Sequence, residues 1–189
     1  MASDDAPRWL DAEEQQVWRE LVGVLIRLPA ELDRQLRRDA GLSHYEYQVL
    51  ATLSEAPQRT LRMRDLAERT EGSLPRLSQV VGRLERRGRV RRRPDPDDGR
   101  TTLATLTDAG WDELVAAAPG HVDAVRRLVL DPLTAAQRRQ LGSISRRLAV
   151  AIEAGGASDG DSHRDAAGVG SRVSGKRSRG FSDRGVDPG

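Results

Sequence analysis

Apolar residues recur every three or four positions along most of the chain, a pattern that predicts a mostly α-helical fold. The first apolar stripe contains Val17, Leu21, Val24, Leu25, Leu28, Leu32 and Leu36. Pro29 lies inside this stripe, so we expect a kink near Leu28 or two abutting helices. Gly41 ends the element, and Ser43 with Glu46 forms a capping box that begins the next helix.

The middle of the chain predicts two short helices separated by a tight break. The first covers 62–69 and follows an extended segment at 59–61. The second begins at Ser73, a favourable N-cap residue, with Pro75 tolerated in its first turn. Its apolar face contains Leu74, Leu77, Val81 and Leu84, with Val80 beside them. Gly88 is then a suitable residue for the left-handed position that ends a helix.

A β-hairpin follows the second short helix. Val90 begins a strand, residues 94–99 read Pro-Asp-Pro-Asp-Asp-Gly, and residues 101–106 form the returning strand. The central segment is typical of a tight turn. Two helices followed by a two-stranded β wing are the layout of a winged helix-turn-helix.

Two further helical stretches follow the hairpin. Thr107 is expected to cap a long helix that is interrupted or kinked at Pro119 and Gly120, and residues 134–137 form a capping box for the last helix. From Gly155 onward, nine of 35 residues are glycine, six are serine and none is leucine or isoleucine. Such a segment cannot bury enough apolar area to offset its ordering entropy, which predicts a disordered tail.

The predicted organisation is therefore one folded domain between two disordered ends. Residues 1–8 form the N-terminal end, 9–154 the domain and 155–189 the tail, and within the domain a winged lobe at 59–107 is flanked by helices at 9–40 and 108–154. These flanking helices carry more apolar surface than the lobe can cover, so we expect them to be dimerisation helices of a homodimer. Packing on each other within a monomer is the alternative.

Positive charge is concentrated in the predicted lobe. Thirteen arginines and seven acidic residues fall between Arg59 and Thr107, a local charge of +6, whereas residues 1–57 carry a charge of −5. Since the whole chain has a formal net charge of only +2, this concentration indicates a surface for a polyanion.

Composition disfavours several other classes of protein. The chain contains no cysteine, which excludes disulfides, cysteine-ligated zinc and thiol redox sensing. Its three histidines are far apart in sequence and form no local metal motif, so we expect no metal and no cofactor; a site assembled in three dimensions is the alternative. No apolar run is long enough to span a bilayer and the first residues are acidic, so we expect a cytoplasmic protein without a membrane partner. An enzyme is the least favoured class, because no nucleophile–base pair, carboxylate cluster or phosphate loop is recognisable.

Two elements carry the residues expected to contact DNA. A polar helix face can enter the major groove of a duplex, and an arginine on a wing can enter a narrow minor groove. The candidates on the second short helix are Ser73, Pro75, Arg76, Ser78, Gln79 and Arg83, and those on the wing are Arg92, Arg93, Asp98 and Arg100. Asp98 is expected to orient Arg100. A solvated arginine face is the alternative reading.

The same residues resemble the MarR family of bacterial transcription regulators. The resemblance covers roughly 9–153 and is carried by Leu66-Ala67, Leu77-Ser78, Val81, Leu84-Glu85, Gly88, Val90, Asp95-Pro96, Asp98-Gly99-Arg100, Leu106-Thr107 and Gly110. The chain departs from the family pattern at position 99, which is Gly rather than Arg, and at position 89, which is Arg rather than an apolar residue. These departures suggest a looser wing tip and a less buried wing base.

The resemblance implies a homodimer with interlocked terminal helices, bound to a pseudo-palindromic operator on double-stranded DNA. It also implies release by a small effector, commonly a phenolic or aromatic acid, held between the lobe and the dimer core. Candidate residues for that pocket are Trp18, His44, Tyr45 and Trp111, although aromatic residues on apolar faces more often belong to a core. We therefore expect a sequence-specific transcriptional regulator, acting as a repressor. A non-specific architectural DNA-binding protein that uses the same face is the alternative.

Overall fold

The computed structural model describes the backbone of residues 7–165 and the side chains of residues 7–155. The elements follow in the order α1 (Ala12–Ala40), α2 (His44–Ser54), β1 (Thr60–Arg62), α3 (Met63–Arg69), α4 (Leu74–Arg86), β2 (Val90–Pro94), β3 (Thr102–Leu106), α5 (Asp108–Val125) and α6 (Ala135–Asp165). A 3-10 turn precedes β1, and a π-helical segment, Arg126–Leu130, follows α5. The predicted mostly α-helical winged helix-turn-helix is confirmed.

The chain divides into two compact units, Met1–Leu133 and Thr134–Gly189. The first unit contains α1 to α5 and the β-sheet, and the second contains α6. Over the described residues, no helix is long and apolar enough to cross a membrane.

Local capping signals place the helix boundaries where the sequence predicts them. The Ser43 hydroxyl accepts a hydrogen bond from the Glu46 amide at 3.1 Å, and the Thr107 hydroxyl accepts one from the Gly110 amide at 3.0 Å. The Ser73 hydroxyl caps α4 in the same way. Gly88 has φ 71°, a left-handed conformation that glycine adopts without steric cost.

The internal prolines do not divide their helices. Helix α1 is continuous through Pro29, and α5 is continuous through Pro119 and Gly120. Two abutting helices at Pro29 and an interruption at Pro119 are therefore wrong, whereas a kink within each continuous helix stays a prediction. Each proline removes one backbone donor, and the hydrogen bonds on either side are sufficient to keep the helix in register.

The wing contains the two predicted strands and pairs with a third. The sheet has the order β1-β3-β2 and is antiparallel throughout, with Leu61 opposite Ala104 on one side and Arg92 opposite Ala104 on the other. The extended segment before α3 is thus an edge strand, and the hydroxyls of Thr60 and Thr105 hydrogen-bond across it at 2.9 Å.

One hydrophobic core joins α2 to the predicted lobe. Its fully buried members include Leu50 and Leu53 from α2, and Leu66, Leu77 and Leu84 from α3 and α4. Leu74 departs from the prediction because its side chain is 48% exposed. As the first residue of α4, it lies one turn before the residues that pack on the core.

Helix α6 extends beyond the boundary predicted at Ala154. Its backbone is helical to Asp165, whereas composition indicated a disordered tail from Gly155. Once a helix is nucleated, each further residue adds a hydrogen bond, so propagation can outrun an unfavourable composition. Residues 1–6 of the N-terminal end predicted to be disordered (1–8), and residues 166–189 of the predicted tail, lie outside the described residues.

Candidate nucleic-acid interface

Helix α4 presents a polar face to solvent. All six residues that the sequence proposes for DNA contact on this helix are exposed: Ser73, Pro75, Arg76, Ser78, Gln79 and Arg83. Arg76, Gln79 and Arg83 line a cavity that also reaches Asp33 and Arg37 of α1, whereas Pro75 and Ser78 do not line it. We call this cavity, of ≈ 630 Å³, the α4 cavity.

Arg83 is held by a buried carboxylate of α2. Its Nε lies 3.4 Å from Oε1 of Glu46, whose side chain is only 9% exposed. The other oxygen of Glu46 accepts hydrogen bonds from the amide and hydroxyl of Ser43, at 2.8 and 3.0 Å. Burial raises the pKa of Glu46, but the bonds from Ser43 and Arg83 outweigh burial and hold the pKa below its ordinary value. The carboxylate therefore stays ionised beside Arg83.

Arg76 of α4 stacks on an aromatic ring of α2. Its guanidinium carbon lies 4.4 Å from the centroid of the Tyr45 ring, within the range of a cation–π interaction. The Tyr45 hydroxyl hydrogen-bonds to the hydroxyl of Thr70 at 3.1 Å, which fixes the ring over the break between α3 and α4. Gly72 lies so close to this hydroxyl that a Cβ there would overlap it.

The wing residues that the sequence proposes for DNA contact differ in their internal contacts. Arg92 is committed to the protein, because its side chain donates to Glu85 at 2.6 and 2.9 Å and its amide donates to the same carboxylate at 3.0 Å. Arg93 and Arg100 are exposed, and neither has an ion-pair partner among the described residues. Asp98 orients the backbone at the tip by accepting from the Arg100 amide at 3.1 Å.

Two residues that order the wing turn were not identified from the sequence. Asp95 is only 6% exposed and accepts hydrogen bonds from the Asp97 amide at 3.1 Å and from Arg62 at 3.2 Å. Arg62 thereby ties the wing turn to β1. The Asp-Pro-Asp turn signals an ordered loop, but nothing in the sequence pairs its first carboxylate with an arginine 33 positions earlier.

The departure at position 89 is compensated at the base of the wing. Arg87 and Arg89 both bind the carboxylate of Glu113 in α5, at 2.6 and 2.9 Å. The Arg89 carbonyl accepts from the Thr107 amide and hydroxyl, each at 3.0 Å. The predicted loss of apolar burial is thus replaced by an ion-pair clamp between the wing and α5.

Seven of the thirteen lobe arginines have no ion-pair partner in the part of the chain that the structure describes. They are distributed over α3 (Arg64, Arg69), α4 (Arg76, Arg86), β2 (Arg91, Arg93) and the wing turn (Arg100). The other six are paired: Arg59, Arg62, Arg83, Arg87, Arg89 and Arg92. The unpaired guanidinium groups can bind a polyanion with all of their N–H donors.

The four aromatic residues proposed for an effector pocket do not all meet. His44 and Tyr45 line the α4 cavity. Trp18 is exposed on α1, and Trp111 lies under the Arg59 guanidinium at 4.4 Å. Neither tryptophan lines the α4 cavity or the cavity next to it.

That adjoining cavity, of ≈ 360 Å³, contains two histidines, and we call it the histidine cavity. The His121 ring lies 5.6 Å from the His44 ring and 4.4 Å from the Tyr47 ring, between centroids. Burial lowers the pKa of both histidines. His121 Nδ1 is buried without a hydrogen-bond partner. No group of three or more potential metal ligands occurs among the described residues.

Comparison with known proteins places this arrangement in a family. The family model described as MarR family matches residues 40–101. Sco3205, a MarR family transcriptional regulator from Streptomyces coelicolor solved in complex with DNA, is 50% identical, with a TM-score of 0.74 over 77% of this chain and 91% of that one. AbsC, a MarR family transcriptional regulator from the same organism, is 34% identical with a TM-score of 0.74, over 78% of this chain and 99% of that one.

A third solved structure contains a small molecule. The PcaV transcriptional regulator of Streptomyces coelicolor, in complex with its natural ligand, is 26% identical with a TM-score of 0.60, over 78% of this chain and 99% of that one. The matched proteins are regulators rather than enzymes. Half of the residues aligned with Sco3205 are identical, and the alignment covers nearly all of that protein. The chain therefore belongs to the MarR family of DNA-binding transcriptional regulators.

Proposed function

We propose that the protein is a sequence-specific repressor that occupies a pseudo-palindromic operator as a homodimer. The observation that carries this proposal is the set of seven arginines, on and around the exposed polar face of α4, that have no ion-pair partner among the described residues. The similarity to Sco3205, which was solved with DNA, supports it. We place the protein in the cytoplasm, because its proposed partner is double-stranded DNA.

Helix α4 would read the major groove while the wing contacts the minor groove. The side chains of Gln79 and Arg83 are long enough to reach base edges. Arg100 lies on a turn whose backbone is ordered by Asp98. The remaining unpaired arginines would fix the lobe to phosphates, which gives affinity without sequence preference.

Selection from random and genomic DNA fragments tests sequence specificity. A regulator should recover a palindrome that it binds on the order of a thousandfold more tightly than unrelated DNA at physiological salt. Equal affinity for all duplexes would instead establish the architectural alternative.

Substitution of two arginines separates the two contacts. Arg83→Ala should cost about 1–3 kcal/mol per lobe and relax preference at one position of each half-site. Arg100→Ala should weaken binding to all operator variants, most of all where the flanks are A/T-rich. Unchanged affinity in both folded variants would mean that the arginine face is only a solvated surface.

The homodimer is supported by apolar side chains that remain exposed on three helices. They include Val17, Trp18, Val24 and Leu25 on α1, Val115 and Val122 on α5, and Leu141, Ile144 and Leu148 on α6. A symmetric partner is the commonest means of burying such surfaces.

Sedimentation at micromolar concentration measures the assembly. Leu148→Glu would introduce an unpaired carboxylate into the proposed interface, so it should lower dimerisation and stability together. A monomeric wild-type protein, or a variant that dimerises normally, would contradict the dimer.

An effector site is proposed in the α4 cavity, in contact with His44 and Tyr45. Arg37, Arg76 and Arg83 supply positive charge there, and the Tyr45 ring supplies an aromatic surface, which together suit a small aromatic or phenolic acid. PcaV, solved with its natural ligand, supports a ligand-bound state in a relative. Binding would release DNA by changing the distance or angle between the two lobes of the dimer.

Operator release by 4-hydroxybenzoate, compared with uncharged benzyl alcohol, tests the proposed chemistry. The acid should release the protein from the operator and raise the melting temperature of the protein. Arg37→Ala should weaken both effects. If the acid and the alcohol act equally, the arginines do not recognise the ligand.

A further inference from the structure

The first turn of α2 presents two consecutive residues to α4. Tyr45 supports Arg76 through its ring, and Glu46 binds Arg83 through its carboxylate. Arg76 and Arg83 are seven residues apart, close to two helical turns, so they project from nearly the same face of α4. One short segment of α2 thus holds both arginines of that face.

Arg83 is supported by a carboxylate that is itself fixed. Glu46 is buried, and its second oxygen is fixed by the amide and hydroxyl of Ser43. Only the Nε of Arg83 is used in the hydrogen bond to Glu46. A guanidinium carries five N–H donors, so both terminal nitrogens keep their donors for DNA while the bond from Nε restrains the side chain.

The support for Arg76 leaves even more of its donors available. Stacking on Tyr45 occupies one face of the guanidinium, whereas its N–H groups point outward from the edge of the plane. Tyr45 is itself fixed by the hydroxyl of Thr70, which also donates to the Leu66 carbonyl at 2.7 Å. Both arginines are therefore ordered before DNA arrives, which reduces the entropy lost on binding.

We propose that Tyr45 and Glu46 are positioning residues for operator specificity, acting through Arg76 and Arg83 without touching a base. The inference rests on the proposed sequence-specific function and extends it to residues outside α4 and the wing. It implies that α2 contributes to the choice of DNA sequence.

The sign of the effect distinguishes positioning from simple electrostatics. Glu46 is negative, so its neutralisation makes the lobe more positive and should maintain or strengthen binding to unrelated DNA. Loss of the fixed Arg83 geometry should weaken binding to the operator. The ratio of operator to unrelated affinity is therefore the quantity to measure.

Glu46→Gln is the most informative substitution. The glutamine oxygen can still accept from Ser43, so the capping box is retained, while the charged partner of Arg83 is lost. We expect the affinity ratio to fall about three- to tenfold. In an Arg83→Ala background, Glu46→Gln should cause no further fall in the ratio.

Two other variants complete the test. Glu31→Gln removes an equal charge from an exposed ion pair on α1 and should leave the ratio unchanged. Tyr45→Leu should lower the affinity ratio when Arg76 is present but not when Arg76 is replaced by alanine. This variant provides a second test if Glu46→Gln does not fold.

Each outcome has a distinct meaning. If wild-type protein shows no preference for any sequence, the proposed function fails. If the wild-type protein prefers its operator, and Arg83→Ala lowers the affinity ratio while folded Glu46→Gln and Tyr45→Leu do not, the positioning role is refuted. The proposed regulatory function then still stands. An equal fall on Glu46→Gln with and without Arg83 would show that Glu46 acts through the fold.

Discussion

Replacing Gly110 with alanine tests the close contact that joins the wing to α5. A Cβ at this position would overlap the carbonyl oxygen of Arg89 and would lie 2.7 Å from Cδ1 of Leu106. The first neighbour is backbone, which cannot rotate away as a side chain can. The variant must therefore separate the start of α5 from the base of the wing.

The expected loss is the balance of two costs and one gain. Overpacking in a closely packed region costs about 1–3 kcal/mol, and the separation also stretches the bonds from Thr107 to the Arg89 carbonyl, each worth about 1 kcal/mol. Alanine returns up to about 1 kcal/mol through its higher helix propensity. We expect the free energy of unfolding to fall by about 1–3 kcal/mol.

Gly82→Ala is the matched control. This glycine is also helical, but the nearest atoms to an added Cβ are the ends of two arginine side chains, at 3.8 and 3.9 Å. The control should gain about 0.5–1 kcal/mol from helix propensity alone. Urea unfolding at one protein concentration, with the slope of each transition compared, measures both variants. Equal stabilities for Gly110→Ala and Gly82→Ala would refute the steric argument.

Three further predictions follow from buried or paired groups. Burial lowers the pKa of His44 and His121, so the folded state binds fewer protons than the unfolded chain; stability should fall as pH decreases below about 6.5, and less steeply when both are glutamine. Arg92→Ala should lower the free energy of unfolding by about 0.5–1.5 kcal/mol by breaking its partly exposed ion pair, whereas Arg93→Ala should leave thermal stability unchanged and reduce the salt dependence of DNA binding by about 0.9 in log–log slope. Thr107→Ala should cost about 1 kcal/mol in chemical denaturation through loss of an N-cap, and no change there would mean that the cap is dispensable.

Features that depend on neighbouring residues were predictable from the sequence. Ser43, Ser73 and Thr107 begin their helices as expected, because a cap is made within three residues of its own hydroxyl. Apolar periodicity likewise predicts the buried positions of α4, with Leu74 as the exception. Helices α1 and α5 nevertheless continue through Pro29 and Pro119, so the hydrogen bonds around a proline can outweigh its tendency to end a helix.

Pairings between distant residues were not predictable. The partners of Arg62 and Arg83 lie 33 and 37 positions away, and sequence spacing gives no means of choosing them among the other acidic residues. The sequence likewise does not show that Glu85, seven positions earlier, binds Arg92, whose contact with DNA stays a prediction. The distribution of charge indicated the function, while the division between paired and unpaired arginines required three-dimensional structure.

The stack of Arg59 on Trp111 gives the protein an internal optical reporter. Trp111 lies in the first turn of α5, and Arg59 comes from the turn that leads into β1, so the pair spans the joint between the sheet and that helix. Indole emission is sensitive to a nearby cation and to solvent. With Trp9 and Trp18 replaced by phenylalanine, the fluorescence of the remaining indole would follow movement at this joint in real time, without an attached dye.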